Sequence, residues 1–170
     1  MEPPGGHDPA ELVPYTCPMV RIALLLAAAT PWLAALPAPA AAYQAVAVLE
    51  GPARVIDGDG LRIGQQEVRL QGIAAPEWDE RGGAQATAAL RSLAEGRHVV
   101  CHLDGTTTYD RVVGRCAVDG QDVGAALVVG GFALDCPRYS RGDYARHEAA
   151  ARAAGRDLSQ VYRRPGYCRR

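Results

Sequence analysis

The chain contains no lysine. Every basic side chain is arginine, so any cationic grip on an anion must be a planar guanidinium fork. No C-x-x-C pair occurs, and the cysteines are widely spaced, which argues against a zinc site. Net charge is -1, so the total does not advertise a polyanionic partner. No internal repeat is present. The longest apolar run, Ile22 to Leu36, is broken by Thr30 and Pro31. It falls short of the roughly 20 apolar residues a membrane-spanning helix needs.

What is present begins with a leader. Met19-Val-Arg21 gives a short positive start, the apolar run follows, and Ala40-Ala-Ala42 supplies small residues before Tyr43. That is the layout of a secretory signal peptide. Residues 1–42 are expected to be leader, with Met19 a plausible true start and cleavage after Ala42. Residues 43–170 are expected to form one small domain, secreted or periplasmic, with no stable membrane association once the signal is removed.

The cysteines agree with export. Cys17 lies in the leader, and Cys101, Cys116, Cys136 and Cys168 remain. An even number in a small exported domain suggests two disulfides. Four cysteines allow three pairings. Cys101–Cys116 is favoured because both fall in adjacent strands of one hairpin, which leaves Cys136–Cys168 to tie the tail to the body.

The pattern reads as strand over 45–57, a hairpin from Leu61–Ile63 and Glu67–Ile73, and a helix over Ala84–Ala94 stopped by Gly96. Strands follow at Arg97–Leu103 and Arg111–Val118, joined across a loop at 104–108. A short helix over 124–129 ends at Gly130-Gly131. A last helix spans 143–154, with Asp143 as N-cap and Gly155 as stop. This order fits an α+β fold, a five-stranded antiparallel OB-like β-barrel with three helices.

Charge is uneven. Acids outnumber arginines from Tyr43 to Pro137, and arginines outnumber acids from Arg138 onward. The basic segment suits either a polyanion or a plain solvated helix and tail. Within the acidic part stand Asp57-Gly58-Asp59, Arg69, Pro76-Glu77 and Arg111. Carboxylates hold a hard cation by oxygen. Arginines fork onto phosphate oxygens, and a glutamate after a rigid proline can take a proton from water. Together these are the parts of a metal-dependent phosphodiesterase. Each also has a plainer reading. Asp57 and Asp59 could shape a turn. Arg69 could be a solvated strand residue. Glu77 could cap the following helix or pair with Arg81, and Arg111 could pair with Asp104 or Asp110. His98 and His102 alternate on one strand and should point outward. Trp78 reads better as a loop-packing residue than as a base-stacking platform.

From about Arg54 to Leu158 the chain resembles the staphylococcal nuclease (thermonuclease) family. The resemblance rests on Val55-Ile-Asp-Gly-Asp59, Arg69-Leu with Pro76-Glu77 seven residues on, Tyr109-Asp-Arg111-Val, Val123-Gly-Ala-Ala-Leu127 and Gly131-Phe-Ala133. It implies an OB barrel with three helices and a calcium-dependent endonuclease that hydrolyses DNA and RNA to 3′-phosphates. On that basis Asp59 is a metal ligand, Asp57 supports the metal, and the Ala75 carbonyl is a further ligand for calcium or another divalent cation. Arg69 and Arg111 bind phosphate, and Glu77 contacts the attacking water. Tyr109 and Tyr139 border the nucleotide. The partner implied is nucleic acid alone, and the chain is expected to be a monomer.

Two positions depart from the family pattern. Ala74 stands where a second metal-binding aspartate is usual, and Gly60 stands where threonine follows Asp-Gly-Asp. Gly60 is expected to loosen the turn. Ala74 opens an alternative, a catalytically weak or inactive nucleic-acid-binding module. A third reading, an envelope scaffold for protein contacts, fits a short single domain least.

Overall fold

The computed structural model describes residues 45–169. The expected leader and its cleavage site lie outside the described residues. Strands β1 (Ala47–Val55), β2 (Gly60–Ile63) and β3 (Gln66–Leu70) lead to the short β4 (Ile73–Ala74). Helix α1 (Gly83–Ala94) precedes β5 (His98–Thr108), β6 (Arg111–Val118) and β7 (Gln121–Asp122). Then come α2 (Val123–Gly130), β8 (Leu134–Asp135), α3 (Pro137–Ser140) and α4 (Ala145–Ala153). The tail carries two 3-10 turns, Leu158–Gln160 and Gly166–Cys168. Among the described residues no helix is long and apolar enough to cross a membrane.

The main sheet runs β3-β2-β1-β5-β6-β7, and β3 also pairs with β6, so five strands close into the expected barrel. The closing pair is parallel, Val68 beside Val112 and Arg69 beside Val113. This corrects the fully antiparallel expectation, and the reason is parity. Strand direction alternates from β3 through β2, β1 and β5 to β6. An odd number of alternating strands must close with two pointing the same way.

The β5–β6 hairpin is longer than its sequence suggests. The segment 104–108, expected as loop, continues β5 through a register break between Leu103 and Thr107. Asp104 holds that break together, accepting from the Thr106 backbone N–H at 2.8 Å and its hydroxyl at 2.6 Å. The turn is Tyr109-Asp110, with Tyr109 left-handed at φ 53°.

The expected helices form as α1, α2 and α4, and α3 adds a single turn. Asp122 caps α2 by accepting from Ala125 N–H at 2.9 Å. Its other oxygen accepts from the buried Tyr144 hydroxyl, also at 2.9 Å, which fastens α4's start to α2's. Asp143 is not the N-cap of α4. Tyr144 occupies that position without a side-chain cap. The Asp143 carboxylate instead accepts from Arg115 of β6, 2.5 Å away.

Two apolar clusters result. The barrel core gathers Leu61, Val68, Ile73, Leu90, Val99 and Leu127 among others, with α1 contributing Ala86, Leu90 and Ala94. A second, smaller cluster joins Ala74, Leu134 and Cys136 to Leu158, Tyr162 and Cys168 of the tail. Both favoured disulfides form. Cys101 and Cys116 are direct partners across β5 and β6, and Cys136–Cys168 closes the second cluster.

Candidate active site

The turn between β1 and β2 builds the acidic side of the site. Asp57 Oδ1 accepts from the Asp59 N–H at 3.1 Å, folding the carboxylate back over its own turn. A β-carbon at Gly60 would lie 2.7 Å from that same oxygen. Gly60 therefore does not loosen the turn, because its missing side chain is what lets the Asp57 carboxylate lie there. Asp59 points inward and is 7% exposed.

The β2–β3 register sets Gly60 opposite Arg69, which brings Arg69 against Asp59. The two are ion-paired. Arg69 Nη2 also donates to the Ile73 carbonyl at 3.3 Å. Burial pulls the guanidinium pKa down, and nearby Arg111 adds to this, while Tyr167, Asp57 and Glu77 oppose it. Arginine stays a cation through such shifts. Arg111 opens β6, and its Nη1 lies 3.8 Å from Asp57 Oδ2. The fold thus sets two arginine–aspartate pairs side by side.

Glu77 follows the buried Pro76 and is exposed. It neither caps α1 nor pairs with Arg81 in the contacts formed. The Glu80 carboxylate accepts from the Glu77 N–H at 2.9 Å, closing the loop from the other side. A β-carbon at Gly83 would overlap the Glu77 carbonyl, so the start of α1 is pressed against this loop. Glu77 exerts a weak electrostatic influence on both Arg69 and Tyr162, so it stands in their neighbourhood.

Other candidates fall elsewhere. Tyr109 is 95% exposed at the hairpin tip. The Tyr139 ring on α3 lies under the Arg138 guanidinium, 5.7 Å from ring centre. Trp78 is 77% exposed and packs no core, contrary to the reading of it as a packing residue. His98 and His102 are exposed, as their alternation suggests. Two tyrosines that sequence reasoning passed over stand at the cleft. The buried Tyr162 donates its hydroxyl to the Ala75 carbonyl at 3.1 Å. Burial raises its pKa, with Tyr167 and Glu80 adding to the effect, so the hydroxyl keeps its proton. Tyr167, half exposed, acts on both Arg69 and Tyr162. The one available signal concerns Tyr167, which precedes Cys168, since that disulfide carries the tail back to β8.

The sequence matches a known family over more than half the chain. Residues 67–159 fit the model of the staphylococcal nuclease homologues. The chain belongs to that family. Over 117 residues it is also 37% identical to the succinoglycan biosynthesis protein ExoI of Rhizobium meliloti (strain 1021). That alignment covers 62% of this chain and 61% of the relative, so the chain spans about three fifths of that protein's length.

A nuclease of this family calls for a cation, so the oxygen donors matter. Calcium takes about six to eight oxygens, several of them anionic. Among the described residues no group of three or more His, Cys, Asp or Glu side chains is placed to hold a metal ion. Asp59 Oδ2 is already engaged by Arg69 and accepts from Ala75 N–H at 3.2 Å. The Ala75 carbonyl already accepts from the Tyr162 hydroxyl. Ala74 is fully buried in the second apolar cluster. The residues present do not fit a resident calcium ion.

Proposed function

We propose that this nuclease-family chain is an exported phosphodiester hydrolase that binds strands of DNA or RNA and cuts them between Arg69, Arg111 and Glu77. The observation that carries the reading is the convergence of the two arginine–aspartate pairs beside an exposed glutamate. A strand phosphate entering the cleft replaces the long Asp57 contact on the Arg111 fork and adds to the N–H groups of Arg69 that Asp59 and the Ile73 carbonyl leave over. Glu77 holds a water and takes its proton as the oxygen bonds to phosphorus. The P–O bond to the leaving ribose or deoxyribose oxygen breaks, and a proton from solvent completes the alcohol. Charge that grows on the phosphoryl oxygens meets fixed guanidinium N–H donors.

Export is supported by the expected leader and by two disulfides, which persist in oxidising compartments. A second reading, a binding module with weak or no turnover, draws support from the engaged donors around Ala74 and Ala75. The relative's assignment to succinoglycan biosynthesis makes that polymer the control substrate.

The test is hydrolysis of single-stranded DNA and RNA by the purified protein in calcium, magnesium, manganese and EDTA, with succinoglycan alongside. Strand cleavage supports the enzyme. Strand binding without cleavage in any buffer moves the assignment to the binding module. Glu77→Gln is expected to lower turnover by about 10²–10⁴-fold while strand affinity stays near that of the parent. Equal turnover would remove the general-base role. Arg111→Lys is expected to weaken strand binding by about tenfold, because lysine cannot make the forked contact. An unchanged affinity would place the strand elsewhere.

A further inference from the structure

We infer that the C-terminal tail, residues 158–169, packs against Ala74 and Ala75 on the side where the family pattern implies cation ligands, so that the Arg69–Arg111 cleft takes strand phosphate without a divalent ion. The inference rests on the nucleic-acid reading above and deepens it.

Three contacts carry the argument. First, Ala74 is more than a missing carboxylate. It pairs with Leu134 across β4 and β8 and shares a buried cluster with Leu134, Cys136, Leu158, Tyr162 and Cys168. The space beside it is filled by tail side chains that are apolar there. Second, Tyr162 of the tail donates to the Ala75 carbonyl, which puts a neutral hydroxyl on that backbone oxygen and fills one of its two lone pairs. Third, Asp59 is neutralised by Arg69. A cation at Asp59 would have to displace a buried guanidinium that is also bonded to the Ile73 carbonyl.

The tail cannot easily swing clear to restore the site. Cys168 is bonded to Cys136. Arg164 Nη2 donates to both Glu148 oxygens at 2.7 Å, and its Nε donates to the Asp135 carbonyl at 2.8 Å. Glu148 is itself buried and also accepts from the Asp135 N–H. These contacts span β8, α4 and the tail. They hold Tyr162 against Ala75 and leave Tyr167 half exposed. The positive charge that a phosphate meets in this cleft is then guanidinium only.

Two measurements on the full chain test this. The first is thermal unfolding in EDTA and in about 10 mM calcium at matched ionic strength. A resident site of ~0.1 mM affinity would raise Tm by several degrees. The expected result is no shift beyond about one degree, and a rise of several degrees overturns the inference. The second is fluorescence anisotropy with a single-stranded DNA oligonucleotide in the same two buffers, because strand affinity depends steeply on salt. Kd is expected to agree within about twofold, whereas a roughly tenfold tightening by calcium overturns the inference. Arg111→Ala should weaken binding about tenfold in both buffers. If the parent protein binds no oligonucleotide in either buffer, or Arg111→Ala binds as well as the parent, the nucleic-acid reading of the cleft fails. The calcium response in the unfolding arm still decides the cation claim in that case.

Discussion

Ala74→Asp is expected to destabilise the protein rather than to endow it with a calcium site. By family pattern alone the substitution looks like a repair. The packing says otherwise, because the new carboxylate would enter a cluster of Leu134, Cys136, Leu158, Tyr162 and Cys168. An uncompensated buried charge costs about 3–5 kcal/mol. For a domain of this size that is a fall in Tm of roughly 10 °C or more. The pH dependence gives a second readout. A buried aspartate has its folded pKa raised above the unfolded value of about 3.9. The charge penalty is therefore absent below that value, where the group is neutral in both states, and grows as pH rises above it. The Tm deficit should be largest at neutral pH and shrink on acidification toward about pH 4. A variant as stable as its parent, with a Tm that climbs in calcium, would mean that the tail yields and a calcium site forms at Asp59 and the new carboxylate.

The contrast between pattern and packing at Ala74 shows where the sequence was readable. Local rules sufficed for the barrel strands, since alternation, Gly-marked turns and capping residues act over a few positions. They sufficed also for Cys101–Cys116, because the two cysteines fall on adjacent strands of one hairpin. Arg69, Asp57, Asp59 and Arg111 were recognisable as a set by their residue chemistry and by the spacing of the family motifs that carry them. The parallel β3–β6 closure was implicit in the strand count, but it is a property of the ring and of no single segment. The tail was opaque for a different reason. Two 3-10 turns and an arginine-rich stretch carry no periodicity, so nothing local indicates that Tyr162 reaches Ala75, 87 residues away. Glu148 likewise sits on a helix that reads as polar, and its burial depends on Arg164 arriving from the tail. Asp143 misled because a good capping residue near a helix start was bonded more strongly by an arginine on a neighbouring strand.

Losing Cys136–Cys168 is expected to cost more than losing Cys101–Cys116, and by more than loop length alone accounts for. The two bridges join residues 32 and 15 positions apart. Chain entropy assigns them about 3.7 and about 3.0 kcal/mol, a difference of roughly 0.7 kcal/mol. The native contacts separate them further. Cys101 and Cys116 stay side by side without their bond, because the β5–β6 ladder continues on both sides of them. Cys168 has no such ladder. Its 3-10 turn is three residues long, and without the bond the tail is held by Tyr162, Leu158 and the Arg164–Glu148 pair. Fraying there would expose the buried Glu148 and open the cluster around Ala74. Paired serine variants of each bridge, compared by urea unfolding, should differ by clearly more than the entropic ~0.7 kcal/mol. The Cys136/Cys168 variant should also lose strand affinity, because Tyr167 and the Arg69 surroundings move with the tail, whereas the Cys101/Cys116 variant should bind as its parent does. Equal stability losses with unchanged binding in both would show that the tail packs well enough without its bond, and would separate the disulfide from the architecture of the cleft.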